Sequence, residues 1–493
     1  MFRLGRFVNL GGYFFATIAT AGVSFFSVPL LIRILGPEQF GRWSLLEPCQ
    51  LLLSQIMLLG LNYGIMKQIS FDKLPCLPVL SSLFRRSQVV CILTTLTALF
   101  ALTHLGFSLR ESGWFAFLIY VEAVMILLLS FYRATSAVGG YATGSITKAL
   151  AFLAFLMLAG FGSRHSSVHV SDVLFWRLSS ASLAIAFSMY VFKTRKFTDS
   201  SSVCPDGDLH SRHLYSDAIR YGAPFLVTGL LTMVIDFADR YILKAFFDYT
   251  VLAHYVIYSK IAAFLNPLII APLGLWWPTE RFKRLRNADG GMLFFRQTAL
   301  KVLIVLLLVG GALWLFSPGL ITLFAPGVVA EPRIQLMLIA SVVFMGMGAP
   351  LNIGLLNSGK THLNIYGVLG GAVIHLLLCI LLIPTFGATG AALSTALSYL
   401  AYTLLLNVLS QRLIPVPFAY LAMLSVVVIA FGELLLFHSL SGDAGLFACA
   451  LRSAGYALTF AASGYAVYWF STTMHNKTIT GKNGPEICAG DEY

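Results

Sequence analysis

Apolar runs long enough to cross a bilayer recur from residue 10 to residue 470, separated by short polar turns. A spanning helix needs roughly 20 apolar residues. On that measure the pattern predicts about fourteen spans: 10–32, 43–66, 87–107, 113–132, 145–162, 173–192, 218–238, 250–275, 298–317, 334–356, 363–383, 388–408, 417–438 and 446–470. The runs are continuous rather than alternating, which excludes the strands of a membrane barrel. More spans follow the first run, so it reads as a helix and not as a signal peptide. The expected fold class is an all-α polytopic membrane protein.

Composition agrees. The 493 residues are 58% hydrophobic and 11% charged, where a soluble domain carries roughly 25% charged residues. Trp43, Trp114 and Trp176 fall near predicted helix starts, and Trp276, Trp277, Trp314 and Trp469 near predicted ends, the places an aromatic belt would occupy. Lys and Arg gather on one predicted side, at Arg3, Arg6, Lys67, Lys73, Arg85 and Arg86 and in the clusters 193–220 and 281–301. The positive-inside rule then puts both termini in the cytoplasm, which requires an even number of helices. The formal charge of +12 is topological on this reading and does not imply nucleic acid. The seven cysteines are scattered without CxxC or metal-type spacing and read as small apolar fillers, so no cofactor or metal is expected.

The longest polar stretch, KTRKFTDSSSVCPDGDLHSRHLYSDAIR at 193–220, follows the sixth span. The run after it can be laid on the opening run: Leu35 meets Phe247, Trp43 meets Tyr255, and Glu47 falls opposite Ser259, next to Lys260. Two parallel six-helix lobes are expected from this, related by a pseudo-two-fold axis along the membrane normal. The expected boundaries are 1–192 for the first lobe, 193–216 for a cytoplasmic linker and 217–410 for the second lobe. Two further helices fall at 411–470 and a cytoplasmic tail at 471–493.

Two soluble-enzyme motifs occur and fail on context. GLLNSGKT at 354–361 fits the phosphate-loop pattern, with VID at 234–236 as a nominal partner. That loop needs a strand before it and a nucleotide-binding domain around it, whereas an apolar helix precedes it here. DGD at 206–208 resembles a metal-binding D-x-D but sits in the polar linker. No enzyme is expected.

Charges inside the predicted spans carry more weight, since each costs ~2.5–3.5 kcal/mol at a helix centre and normally faces a cavity or a partner. They include Glu47, Glu122, Arg177, Asp236, Asp239, Arg240 and Lys260, with His254 and His375 as polar neighbours. Asp236 and Arg240 are spaced i,i+4 and can pair on one helix face. Arg177 and Arg240 lie close enough to helix ends to snorkel. Prolines at 29, 48, 224, 267, 272 and 350 each free a backbone carbonyl and permit a bend.

LLIRILGPEQFGRWSLLE at 30–47, FADRYILKAFF at 237–247 and LLNSGKTHLNIYGVLGGAVIHLLLCILLIPTFGATGAALSTALSY at 355–399 together resemble the bacterial polysaccharide flippases. These form the O-antigen and exopolysaccharide branch of the multidrug/oligosaccharidyl-lipid/polysaccharide exporter superfamily. The IP-x-FGA-x-GAA block is the most specific piece: a tight turn, then a helix of small residues suited to close packing. The resemblance implies translocation of an undecaprenyl diphosphate-linked oligosaccharide across the bacterial cytoplasmic membrane. Lys260, Arg240, Arg177 and Glu47 are the expected cavity residues on this reading. Glu47, Glu122, Asp236 and Asp239 are its ion-coupling candidates. The bilayer is the expected partner of a monomeric chain, and a glycan polymerase and glycosyltransferases are candidate partners at the inner loops. ERFKRLR at 280–286 suits them, or anionic lipid headgroups. The alternatives are an ion-coupled multidrug exporter of the same superfamily and a peptidoglycan-precursor flippase. The exporter reading is weakened because no acid occurs between Arg6 and Arg33.

Overall fold

The computed structural model describes residues 2–70, 72, 74, 76–104, 107–162, 168–194, 208–284, 291–357, 363–439 and 445–482. Every element among them is helical. In chain order they are α1 (Phe2–Leu58), α2 (Leu61–Ser70), α3 (Cys76–His104), α4 (Leu109–Ala134), α5 (Val138–Gly162), α6 (Val170–Thr194), α7 (Asp208–Phe246) and α8 (Tyr249–Ala262). A π-helical turn at Asn266–Ile270 leads into α9 (Ala271–Arg284). Then come α10 (Met292–Phe324), α11 (Pro332–Leu351), α12 (Ile353–Asn357), α13 (Leu363–Leu413), α14 (Tyr420–Ser439) and α15 (Leu446–Lys482).

Among the described residues, 12 helical segments are long and apolar enough to cross a membrane. Two are too long to cross once: Gly11–Leu58 has 48 residues and Leu363–Leu413 has 51. At 1.5 Å per residue each would run to about 72–77 Å, against a hydrocarbon core of ~30 Å. Each is interrupted by one non-helical glycine, Gly36 (φ 71°, ψ 170°) and Gly387 (φ 57°, ψ −132°). Such angles are nearly closed to a residue with a Cβ. Counting each as a pair of crossings turns twelve segments into fourteen, which agrees with the hydrophobic pattern.

Elsewhere the helix ends depart from the pattern for local reasons. The span expected at 43–66 stops at Leu58, turns through Leu59 (φ 47°) and Gly60 (φ 84°), and restarts as α2. The span expected at 250–275 is divided by the π turn that carries Pro267. The linker at 193–216 lies largely outside the described residues. What is described of the GLLNSGKT segment is helical, with α11 before it, and the Gly354 amide already donates to Ser410 Oγ at 2.7 Å.

Contacts group the chain into two compact units. Unit 1 comprises Met1–Lys260, Leu323–Val328 and His362–Ser398. Within it, Ser54 of α1 donates to the Ile119 carbonyl of α4 (3.1 Å), and Tyr13 to the Tyr132 carbonyl (3.2 Å). The start of α2 crosses α7 with Gly60 against the Gly222 backbone and Gly64 against Ala218, an approach only small residues allow. Unit 2 comprises Ile261–Thr322, Val329–Thr361 and Tyr399–Tyr493. There the Tyr456 ring lies over Gly311 and its hydroxyl donates to the Leu307 carbonyl at 3.0 Å. The α14–α15 pair is tied by Thr459 and Ser463, which donate to the two oxygens of Glu433 at 2.8 and 2.9 Å.

Large apolar side chains such as Phe161, Leu421 and Leu458 stand exposed, as they must where lipid is the solvent. The tryptophans depart from the expected belt. Trp276 and Trp469 are exposed, but Trp43, Trp277 and Trp314 are buried. Trp314 donates its indole N–H to the Pro332 carbonyl at 2.8 Å, and Trp43 packs beneath the guanidinium of Arg177.

Candidate functional site

Ser44, Glu47, Gln50 and Ser54 recur at helical spacing in the second crossing of α1 and so form one polar stripe on an otherwise apolar helix. Glu47 is its charged member. Lys260, in the last turn of α8, donates to Glu47 Oε2 at 2.6 Å. Arg177 of α6 brings a terminal nitrogen to 3.9 Å from Glu47 Oε1 while its guanidinium lies over Trp43 and Phe152. The side chains of Glu47, Lys260 and Arg177 are 25%, 29% and 23% exposed. Each is therefore partly exposed, unlike the members of a sealed ion pair.

Pro48 has a specific consequence. Its missing N–H leaves the Ser44 carbonyl, four residues back, without its helical donor. Arg240 of α7 takes that oxygen at 3.4 Å and reaches Ser259 Oγ at 3.5 Å. The i,i+4 pairing of Arg240 with Asp236 considered above does not form: the guanidinium turns toward α1 and α8, the side on which the freed carbonyl lies. Arg240 is 6% exposed, buried rather than snorkelling.

Asp239 sits behind this group, 2% exposed. Its carboxylate accepts from the Tyr255 hydroxyl, from Thr395 Oγ1 (3.1 Å) and from the Arg240 backbone N–H (2.8 Å). His375, fully buried, lies within hydrogen-bond reach of Ser398 (3.2 Å), with Cys379 one turn away. Asp236 and His254 are only partly buried.

Glu122 of α4 forms a second ion pair. It is 4% exposed and accepts from Lys148 of α5 at 2.6 Å. Unit 1 thus gathers Glu47, Lys260, Arg177, Arg240, Asp239 and Glu122. Several partners escaped the sequence reading. Lys148 was detectable as a base inside the run at 145–162. Glu433 was likewise visible inside 417–438. Tyr255 and Thr395 carry hydroxyls that apolar helices tolerate anywhere, so nothing in the sequence marked them.

The sequence profile of the family described as polysaccharide biosynthesis protein matches residues 9–279, more than half of the chain. This chain belongs to that family. The stretch it shares with the polysaccharide biosynthesis family contains all the charged candidates, Glu47, Glu122, Arg177, Asp236, Asp239, Arg240 and Lys260. No curated protein sequence matches it.

Solved structures extend the likeness along the chain. The lipid II flippase MurJ in an inward closed conformation is 12% identical, with 92% of this chain and 98% of that one covered and a TM-score of 0.67. A multidrug resistance MATE family transporter of the MOP superfamily in its outward-facing conformation is 13% identical, with 82% and 95% covered and a TM-score of 0.60. An inward-facing MATE structure is 11% identical, with 80% and 94% covered and a TM-score of 0.58. At such identities the likeness establishes the fold. This member of the polysaccharide biosynthesis family is a multi-pass membrane protein with the fold of flippases and exporters, not of an enzyme.

Proposed function

We propose that this protein is a flippase for an undecaprenyl diphosphate-linked oligosaccharide. It moves the lipid from the cytoplasmic to the outer leaflet by alternating access and so supplies surface polysaccharide biosynthesis. The observation that carries this reading is the accessible group of Lys260, Arg177 and Glu47 inside the membrane-spanning part of a polysaccharide biosynthesis family protein. Each such charge is costly in hydrocarbon unless it serves a partner or a pathway. Glycan hydroxyls and a diphosphate lose their hydration on entering lipid and need polar groups to replace it. Lys260, Arg177 and Arg240 supply cations for the diphosphate, while the polyprenyl tail stays in the bilayer. Glu47, Glu122, Asp236 and Asp239 are the carboxylates available for ion coupling.

On this reading the protein works in the bacterial inner membrane with both termini cytoplasmic and as a monomer. Glycosyltransferases and a glycan polymerase are its proposed partners at the inner loops. The fold likeness to the lipid II flippase supports a second cargo of the same chemistry, a peptidoglycan precursor.

The test uses cells lacking this gene, complemented with wild type or Lys260→Ala. Loss of surface glycan with lipid-linked oligosaccharide trapped on the cytoplasmic leaflet, and no rescue by Lys260→Ala at normal protein level, is expected. Trapped peptidoglycan precursor would select the second cargo. Normal glycan with altered drug accumulation would overturn both in favour of an exporter.

A further inference from the structure

The binding group just described is already occupied by an anion of its own. Lys260 holds Glu47 Oε2 at 2.6 Å, and Arg177 stands at 3.9 Å from Glu47 Oε1, close enough to attract it but too far for a hydrogen bond. Among the described residues the buried Nε of Arg177 has no hydrogen-bond acceptor. Arg240, the third cation, holds only neutral oxygens, those of Ser44 and Ser259. Asp239 behind the group gives its oxygens to Tyr255, Thr395 and a backbone N–H, so it makes no direct hydrogen bond to the three cationic side chains. Glu47 is therefore the carboxylate that reaches the side chains of this group, and Arg177 and Arg240 have donor capacity to spare.

We infer that Glu47 is a built-in competitor for the cargo's diphosphate. In the empty protein it occupies Lys260. An arriving diphosphate takes Lys260 and Arg177, with Arg240 behind them, and displaces the Glu47 carboxylate. When the cargo must leave, Glu47 returns to Lys260 and ejects it. The arrangement solves a problem every carrier of an anion faces, since a cation group with no internal rival would hold its cargo and turn over slowly. It also explains why this acid is a quarter exposed, where Glu122, the acid of the other pair, is only 5% exposed.

This inference rests on the diphosphate-cargo reading and can fail separately from it. The probe is farnesyl diphosphate, titrated into full-length protein in phosphatidylcholine nanodiscs, with surface glycan in complemented cells as the turnover readout. If the pair is closed nine-tenths of the time, removing the competitor tightens apparent binding about tenfold. Glu47→Gln is therefore expected to bind about tenfold tighter than wild type and yet to make less glycan. Glu47→Asp, which keeps the competing charge, should bind nearly as wild type does. Lys260→Met should bind more weakly, and Glu47→Gln should no longer tighten binding in its background. If wild type binds and Glu47→Gln binds equally or more weakly, the competitor role is wrong and the cargo reading stands. If only Glu47→Gln binds, both are supported. If neither binds, both fall.

Discussion

At the scale of single residues, the two ion pairs of unit 1 differ in what each partner risks. Glu122 has a side chain 5% exposed and Lys148 one 26% exposed. Removing the base strands a carboxylate with no route to water, whereas removing the acid leaves an ammonium that can still reach solvent. Breaking a buried pair from one side costs about 3–5 kcal/mol, and replacing both partners by apolar groups costs far less. Lys148→Met should therefore lower the thermal unfolding midpoint of the purified protein more than Glu122→Gln, with the double variant recovering part of the loss. A Lys148→Met protein as stable as Glu122→Gln would show that stranding the carboxylate costs no more than stranding the ammonium. The same contrast explains what the sequence disclosed about the site. Charges inside apolar runs are conspicuous because they are expensive, and Glu47, Arg177, Asp239, Arg240 and Lys260 stood out on that ground. The hydroxyls of Tyr255 and Thr395 cost an apolar helix little. Their convergence on Asp239 depends on how α7, α8 and α13 pack, which no local pattern encodes.

At the scale of elements, the spans were legible because, outside closed barrels, only long apolar helices satisfy the backbone in lipid. The crossings between them were not. Gly222 and Gly229 lie about two turns apart on α7 and look equivalent in YGAPFLVTGLL. A Cβ at Gly222 would run into the backbone of Gly60, in the turn that leads into α2, while a Cβ at Gly229 would meet nothing within 4 Å. Their substitutions should thus have opposite signs. Gly222→Ala forces α2 and α7 apart and is expected to lower folded yield and unfolding temperature. Gly229→Ala gains roughly 0.5–1 kcal/mol from helix propensity and should be neutral or stabilising. Size-exclusion profiles and thermal midpoints of the two variants, measured side by side, decide the point; equal losses would mean the crossing is looser than Gly60 and Gly222 imply. Proline shows the same limit. Pro48 read as a generic helix breaker, yet its effect is specific, because the carbonyl it frees is the one Arg240 takes.

At the scale of the whole molecule, the number of crossings depends on two glycines. If α1 and α13 each crossed once, the parity of the chain would be unchanged, since two crossings would be lost together. Locating the termini therefore cannot distinguish twelve spans from fourteen, and the hairpins themselves must be located. In the fourteen-span arrangement with an inside N-terminus, the turn at Gly36 follows the first crossing and the turn at Gly387 follows the eleventh. Both then face outward. Glu38 and Thr385, beside these turns, are exposed. Cysteine placed at either position in a cysteine-free background should react with a membrane-impermeant maleimide added to intact spheroplasts. Cysteine in place of Arg86, on the expected inner side, should react only after permeabilisation. Labelling of Arg86→Cys from outside, with Glu38→Cys and Thr385→Cys reacting only after permeabilisation, would discard the positive-inside assignment. Protection of Glu38→Cys and Thr385→Cys before and after permeabilisation would bury the turns in hydrocarbon. That outcome contradicts the physics that breaks these helices, because the open backbone at a non-helical glycine needs water or polar partners to satisfy it.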